Sequence, residues 1–124
     1  MDKHNYIYLG RERGKQVVHK VGQTSQTCWA RCCHADYLIG VAVELKITTT
    51  NKRKRKDQLN MAEEWIIRYF SERFPTEHGR EYFRTKGHRW DVIKEMFLTE
   101  MTDYLDEMGW DYEIHDGWVA PNTY

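Results

Sequence analysis

Glu63 is the carboxylate that hydrophobic spacing does not explain. It lies four residues after Leu59, three before Ile66, four before Ile67 and seven before Phe70, which puts it on the apolar stripe of a helix. Its neighbour Glu64 joins Asn60, Arg68 and Ser71 on the polar side. An ionised carboxylate beside a core needs a cation, a metal ion or several hydrogen bonds, because desolvation disfavours its charged form. A Mg²⁺ site meets that need, and so does the commoner arrangement of a stripe-edge Glu paired with a nearby Arg or capped by water. A second pair is Tyr8 and Lys20. Side chains alternate along a strand, so Tyr6 shares a face with Tyr8, and Val18 and Gly22 share one with Lys20. An ammonium beside a phenol favours the phenolate and makes a usable proton acceptor, although aromatic and long side chains are also ordinary strand residues. Arg31 follows the Gly22-Gln23-Thr24 segment, where a guanidinium can grip a phosphate bidentately or simply stand in water.

Three strands and three helices must position these groups. Tyr6-Ile7-Tyr8-Leu9, the turn-like Gly10-Arg11-Glu12-Arg13-Gly14-Lys15 and the alternation through Val17, His19 and Val21 predict a β-hairpin closed by Gly22. Thr24 or Ser25 can cap a short helix from Thr27 to about Tyr37. Residues 39–49 alternate as a third strand, with Val41, Val43, Leu45 and Ile47 on one side. Lys52-Arg53-Lys54-Arg55-Lys56 then reads as a solvated loop running into a helix over Asp57–Phe74, stopped by Pro75. Gly79-Arg80-Glu81-Tyr82-Phe83 reads as a polar turn. A last helix over Trp90–Met108 buries Ile93, Phe97, Met101, Tyr104, Leu105 and Met108 and ends at Gly109. Trp110–Tyr124 has no clear pattern, though Tyr112-Glu113-Ile114 could be a short strand.

A chain of 124 residues has room for one domain, and 40 % hydrophobic with 31 % charged residues excludes both a disordered polymer and a membrane-embedded protein. No secretory signal or spanning segment is visible, so the expected location is cytoplasmic, with no membrane partner. The three cysteines, Cys28, Cys32 and Cys33, crowd together and read as reduced, buried thiols rather than as a disulfide framework. With His34 they make a poor zinc site, because adjacent cysteines diverge on a helix. The formal net charge of zero hides an asymmetry. Residues 1–62 hold 12 Lys and Arg against 5 Asp and Glu, and residues 63–124 hold 7 against 14. The basic half, with its run of five cations, can present a face to a phosphate backbone, or the run can be a plain solvated or nuclear-localisation-like segment. The segment from 85 onward carries 3 basic and 9 acidic residues and should face away from a polyanion, meet a partner or fold back on a basic face. Five tryptophans keep a homodimer open.

Taken in order, Tyr6-Ile7-Tyr8, Lys20-Val21-Gly22-Gln23-Thr24, Arg31, Glu63 on a helix and Gly79-Arg80-Glu81-Tyr82-Phe83 resemble the GIY-YIG nuclease family. In particular they look like the phage-type subgroup whose second motif reads K-[IV]-G-x-T and which carries a later G-x-E-[WY]-F signature. The resemblance spans about residues 5–84. It implies an α/β chain of α+β type, with a small three-stranded antiparallel sheet flanked by helices, a family-like core over 5–84 and a C-terminal helical extension over 85–124, all in one domain. It also implies a metal-dependent DNA endonuclease. Tyr8, assisted by Lys20, would activate water; Arg31 would clamp the scissile phosphate; Glu63 would hold one Mg²⁺ or Mn²⁺. Tyr6 stands where the family name has glycine and is a second candidate for the functional tyrosine. Lys52, Arg53, Lys54, Arg55 and Lys56 would grip DNA without reading bases. Gly22, Thr24, His34 and Glu81 would support the site, with Glu81 ordering a turn. Some family members place a His four residues after the arginine and another four after the glutamate. Here those positions are Ala35 and Ile67, which leaves His34 and His19 as candidate helpers. The competing expectation is a non-catalytic DNA- or protein-binding module on the same fold, and within the enzyme class, structure-selective cleavage of junctions or flaps.

Overall fold

Tyr6-Ile7-Tyr8-Leu9 alternates between two buried environments, and in the computed structural model it is the centre of the sheet. The structure describes residues 5–12, 18–24, 37–76, 79–85 and 88–119. In chain order the elements are β1 (Tyr6–Glu12), β2 (Val18–Thr24), β3 (Tyr37–Leu45), α1 (Lys52–Ser71), β4 (Tyr82–Arg84), α2 (Trp90–Met108) and β5 (Tyr112–Val119). The strands form one sheet of order β4-β2-β1-β3-β5, and every neighbouring pair is antiparallel.

The three-stranded sheet expected from the sequence is therefore a five-stranded one. Both added strands are outer strands: local pattern does not reveal β4, and of β5 it offers only the first three residues, Tyr112-Glu113-Ile114. β4 has only three residues, too few to show alternation, and arises from the stretch read as a polar turn. β5 lies in the C-terminal stretch and exposes Ile114, so its apolar residue does not mark a buried face. Both strands are held by long-range pairing to β2 and β3 rather than by their own composition. The helix expected over 27–37 falls mostly on residues outside those described, together with Arg31, His34 and the three cysteines; Tyr37 itself opens β3.

Register assigns the side chains to two faces. Ile7, Leu9, Val21, Val41, Val43, Leu45 and Phe83 belong to one core, with Leu59, Ala62, Ile66, Ile67 and Phe70 of α1 and Ile93, Phe97, Met101, Tyr104 and Leu105 of α2. The alternate positions, Tyr6, Tyr8, Lys20, Gly22, Ala42, Glu44, Glu113 and His115, lie on the opposite face. Tyr6, Tyr8 and Ala42 are as buried as the core but are not part of that cluster.

The two helices follow their apolar stripes with two corrections. The five cations of 52–56 are not a loop but the opening of α1, which starts at Lys52 because the Asn51 side chain accepts from the backbone N–H groups of Arg53 at 3.0 Å and Lys54 at 3.1 Å. Lys and Arg are good helix formers, so the solvated run extends the helix. At its other end α1 stops at Ser71, short of Phe74, with Pro75 following. α2 has the expected bounds, and Gly109 closes it at φ 72°, where Gly109 N–H donates to Asp106 O and Trp110 N–H to Leu105 O. Met108, expected in the core, is exposed.

Candidate functional site

Tyr8 and Lys20 meet. Tyr8 is cross-strand from Gly22, and its ring tip lies over that residue: a Cβ at position 22 would stand 2.7 Å from the Tyr8 hydroxyl oxygen. Only a hydrogen leaves room there. Lys20 lies one step along β2 on the same face, 8 % exposed, with its Nζ 5.8 Å from the centroid of the Tyr8 ring and 5.4 Å from that of Tyr82. The Glu81 carboxylate stands 3.9 Å from Nζ, and the Glu81 carbonyl accepts from Val21 N–H at 3.0 Å. Two ring faces and one carboxylate supply the compensation that a buried ammonium requires.

Glu63 approaches from the other face. It is half-buried, and its Oε1 accepts from the side-chain amide of Gln23 at 2.8 Å. The same amide nitrogen donates to Asn60 Oδ1 at 2.8 Å, and its oxygen accepts from Lys56 Nζ at 2.9 Å. Lys56, Asn60 and Glu63 are spaced i, i+4, i+7 and so share one helix face, and Gln23 binds all three. Among the described residues Glu63 has no cationic partner, whereas the exposed Glu64 is paired with Arg80. Among the described residues the stripe position of Glu63 is thus satisfied by an amide rather than by a cation. β4 pairs with β2 only at Val18–Lys20, so Gly22-Gln23-Thr24 extends past its end. Along this stretch of β2, Tyr8 lies over Gly22 on one face and Glu63 binds Gln23 on the other.

The basic run stands at the start of the same helix. Lys52, Arg53, Lys54 and Lys56 are exposed and Arg55 is half-exposed, and the first turn has no acidic residue. Five cations at the positive end of a helix dipole repel it, and an anion brought to that end relieves the repulsion.

Thr24 is half-buried at the end of β2, cross-strand from Tyr6. Tyr6 is cross-strand from Thr24 rather than Lys20 and makes a T-shaped contact with His115, ring centroids 5.3 Å apart. His19 is on the helix face, fully buried, stacked on Trp90 and with Nδ1 2.6 Å from Thr85 Oγ1. Burial, and then the charge of Arg11, lowers its pKa to about 4, so at neutral pH it is an uncharged packing group away from Tyr8.

At the far edge of the Tyr8 face the structure assembles a cluster absent from the sequence reading. Glu44 is directly opposite Glu113, and Ala42 is opposite His115. His115 Nε2 is 3.0 Å from Glu44 Oε1 and 3.3 Å from Glu113 Oε1. The ligand atoms of all three residues lie within 4.8 Å of one another, a spacing that can hold a metal ion or another cation. Lys46 Nζ is 3.0 Å from Glu44 and 3.5 Å from Glu113. Alternation in the third strand already put Glu44 on its polar side; what the sequence lacks is the β3–β5 register. Gln23 was legible only as a motif spacer, though alternation places it with Val21 on the helix side. No helix is long and apolar enough to cross a membrane among the described residues. Compared with protein-family models, with curated proteins and with solved structures, the chain matches none.

Proposed function

We propose that the protein is a metal-dependent endonuclease that hydrolyses DNA phosphodiester bonds, with its site around Gly22-Gln23-Thr24. The observation that carries this reading is the Gln23 amide, which joins Glu63 to Lys56 and so links a half-buried carboxylate to the basic start of α1. The ordered motifs from Tyr6 to Phe83 and their likeness to GIY-YIG nucleases support the same reading.

In this mechanism Tyr8, beside the Lys20 ammonium, orients a water and takes its proton. The missing Cβ at Gly22 leaves the room that the Tyr8 ring occupies. Lys20 stabilises the phenolate, Arg31 binds the scissile phosphate, and the cations of α1 neutralise neighbouring phosphates. Glu63 would hold a hydrated Mg²⁺ or Mn²⁺, which when bound compensates charge at the leaving oxygen; a single carboxylate suits an ion that keeps several waters. Gln23 fixes the Glu63 rotamer for that task.

The test is incubation of the chain with supercoiled plasmid and with branched DNA in Mg²⁺, Mn²⁺ or EDTA. Cutting that needs the metal and falls more than about 100-fold in Glu63→Gln, with Glu64→Gln unaffected, is the expected result. A folded wild type that cuts neither DNA overturns the enzyme and leaves the DNA- or protein-binding module. Equal losses at Glu63 and Glu64 overturn the assignment of the carboxylate.

A further inference from the structure

The strand register forces a conflict between β3 and β5. Glu44 and Glu113 are direct cross-strand partners, and like charges placed opposite one another destabilise a strand pair unless a cation stands between them. The structure puts Lys46 there, yet Lys46 is a weak tenant: its side chain is 46 % exposed and comes from just beyond the end of β3. Exposed lysine–carboxylate pairs add little stability, because water screens them and the long side chain loses freedom. The third member is better fixed. The His115 ring is in T-shaped contact with the ring of Tyr6, which is itself buried, and its Nε2 is turned to both carboxylates.

The separations suit a shared ion. Two donors each about 2.0–2.1 Å from one ion stand roughly 2.9 Å apart at a right angle and roughly 3.3 Å apart at a tetrahedral angle. His115 Nε2 is 3.0 Å from Glu44 and 3.3 Å from Glu113. A protonated imidazole hydrogen-bonded to both carboxylates has the same spacing, so the geometry accepts a proton, an ammonium or a metal in turn. One imidazole and two carboxylates select a borderline divalent ion such as zinc, cobalt or nickel over calcium or magnesium, which prefer oxygen alone.

We infer that Glu44, Glu113 and His115 form a binding site for a borderline divalent metal that clips the outer strand β5 to β3, with the exposed Lys46 as the cation that the metal displaces. The site is separate from Glu63 and independent of the nuclease reading. Its expected role is structural: a metal bound to the folded chain and not to the unfolded one raises stability in proportion to the logarithm of its concentration.

The experiment is titration of the full chain with Co²⁺ alone, followed by its visible absorption and by the melting temperature. The wild type is expected to take up one ion at this site, seen as the visible band, with a rise of several degrees in Tm, and Lys46→Met to bind it about tenfold tighter because the competitor is gone. His115→Ala should lose the absorption band, Glu113→Gln should weaken the binding that gives it at least tenfold, and Glu63→Gln should keep the band. If neither the wild type nor Lys46→Met binds Co²⁺ while both remain folded by circular dichroism, the proposal fails. It fails equally if His115→Ala binds as well as the wild type, or if Glu63→Gln removes the band and so moves the ion to α1. Failure of these arms leaves the cleavage assay untouched, and loss of cleavage leaves this titration untouched.

Discussion

Lys20 and Lys46 are the cations of two polar clusters toward opposite edges of one sheet face, and the sheet treats them differently. Lys20 is 8 % exposed, between two tyrosine rings with one carboxylate at 3.9 Å. Lys46 has closer partners, two carboxylates at 3.0 and 3.5 Å, yet stands largely in water. Its pKa is raised above the ordinary lysine value by the hydrogen bond to Glu44, with the charges of Glu44 and Glu113 adding to it. The closer contacts belong to the lysine that is easier to remove. Burial, rather than proximity, decides which cation is a fixed part of the site, because a solvated ammonium exchanges one set of partners for water at little loss.

The largest test of this contrast acts on β2 itself. His19, next to Lys20 and on the opposite face, has its pKa lowered from 6.5 to about 4. The unfolded chain therefore binds the His19 proton more readily than the folded one. The stability this contributes is present above pH 6.5, is lost as pH falls from 6.5 towards 4, and amounts to on the order of 3 kcal/mol. Urea unfolding at pH 7 and at pH 4.5 should show that loss, and His19→Gln should flatten it. An unchanged pH profile in His19→Gln would remove His19 as the group responsible.

Replacing the buried cation comes next. Lys20→Ala should lower unfolding stability by about 2 kcal/mol, since it empties the space between Tyr8 and Tyr82 and strands Glu81, and it should also abolish cleavage. Lys20→Met, which keeps the stem, should recover most of the stability and none of the cleavage, as read by denaturant midpoint and plasmid assay. Gly22→Ala should be comparable or slightly milder, at about 1–2 kcal/mol, because the new methyl must displace a Tyr8 ring that is itself buried. Near-wild-type activity in Gly22→Ala would mean that the position of the Tyr8 hydroxyl is not critical. The smallest effect belongs to Lys46→Ala, with Tm expected within about 2 °C of the wild type in metal-free buffer. A fall as large as that of Lys20→Ala would erase the distinction between the two clusters.

Most of what positions the helix side was legible locally. The stripes Leu59–Ala62–Ile66–Ile67–Phe70 and Ile93–Phe97–Met101–Tyr104–Leu105 recur with helical period and are all buried. The alternation through Ile7, Leu9, Val21, Val41 and Val43 marks strand residues whose core face is the observed one. Local pattern places the start of α1 too late because the exposed cations carry no periodic signal, and it is the Asn51 side chain, capping the first turn, that starts the helix. For the candidate site, the meeting of Tyr8 with Lys20 and the odd position of Glu63 could be read from spacing alone. The partner of Glu63 could not, because Gln23 lies 40 residues away and one amide among many carries no chemical signature.

The sequence by itself determined which residues are apolar on one side, where α2 starts and stops, and that Glu63 differs from Glu64, because each of these depends on intervals shorter than one element. Tertiary structure decided that the sheet has five strands, that Glu63 is satisfied by Gln23 and that Glu44 faces Glu113 beside His115. The first and last depend on register between strands distant in sequence, where a slip of one residue would turn every side chain of the strand to the other face, and the second on the packing of α1 against β2.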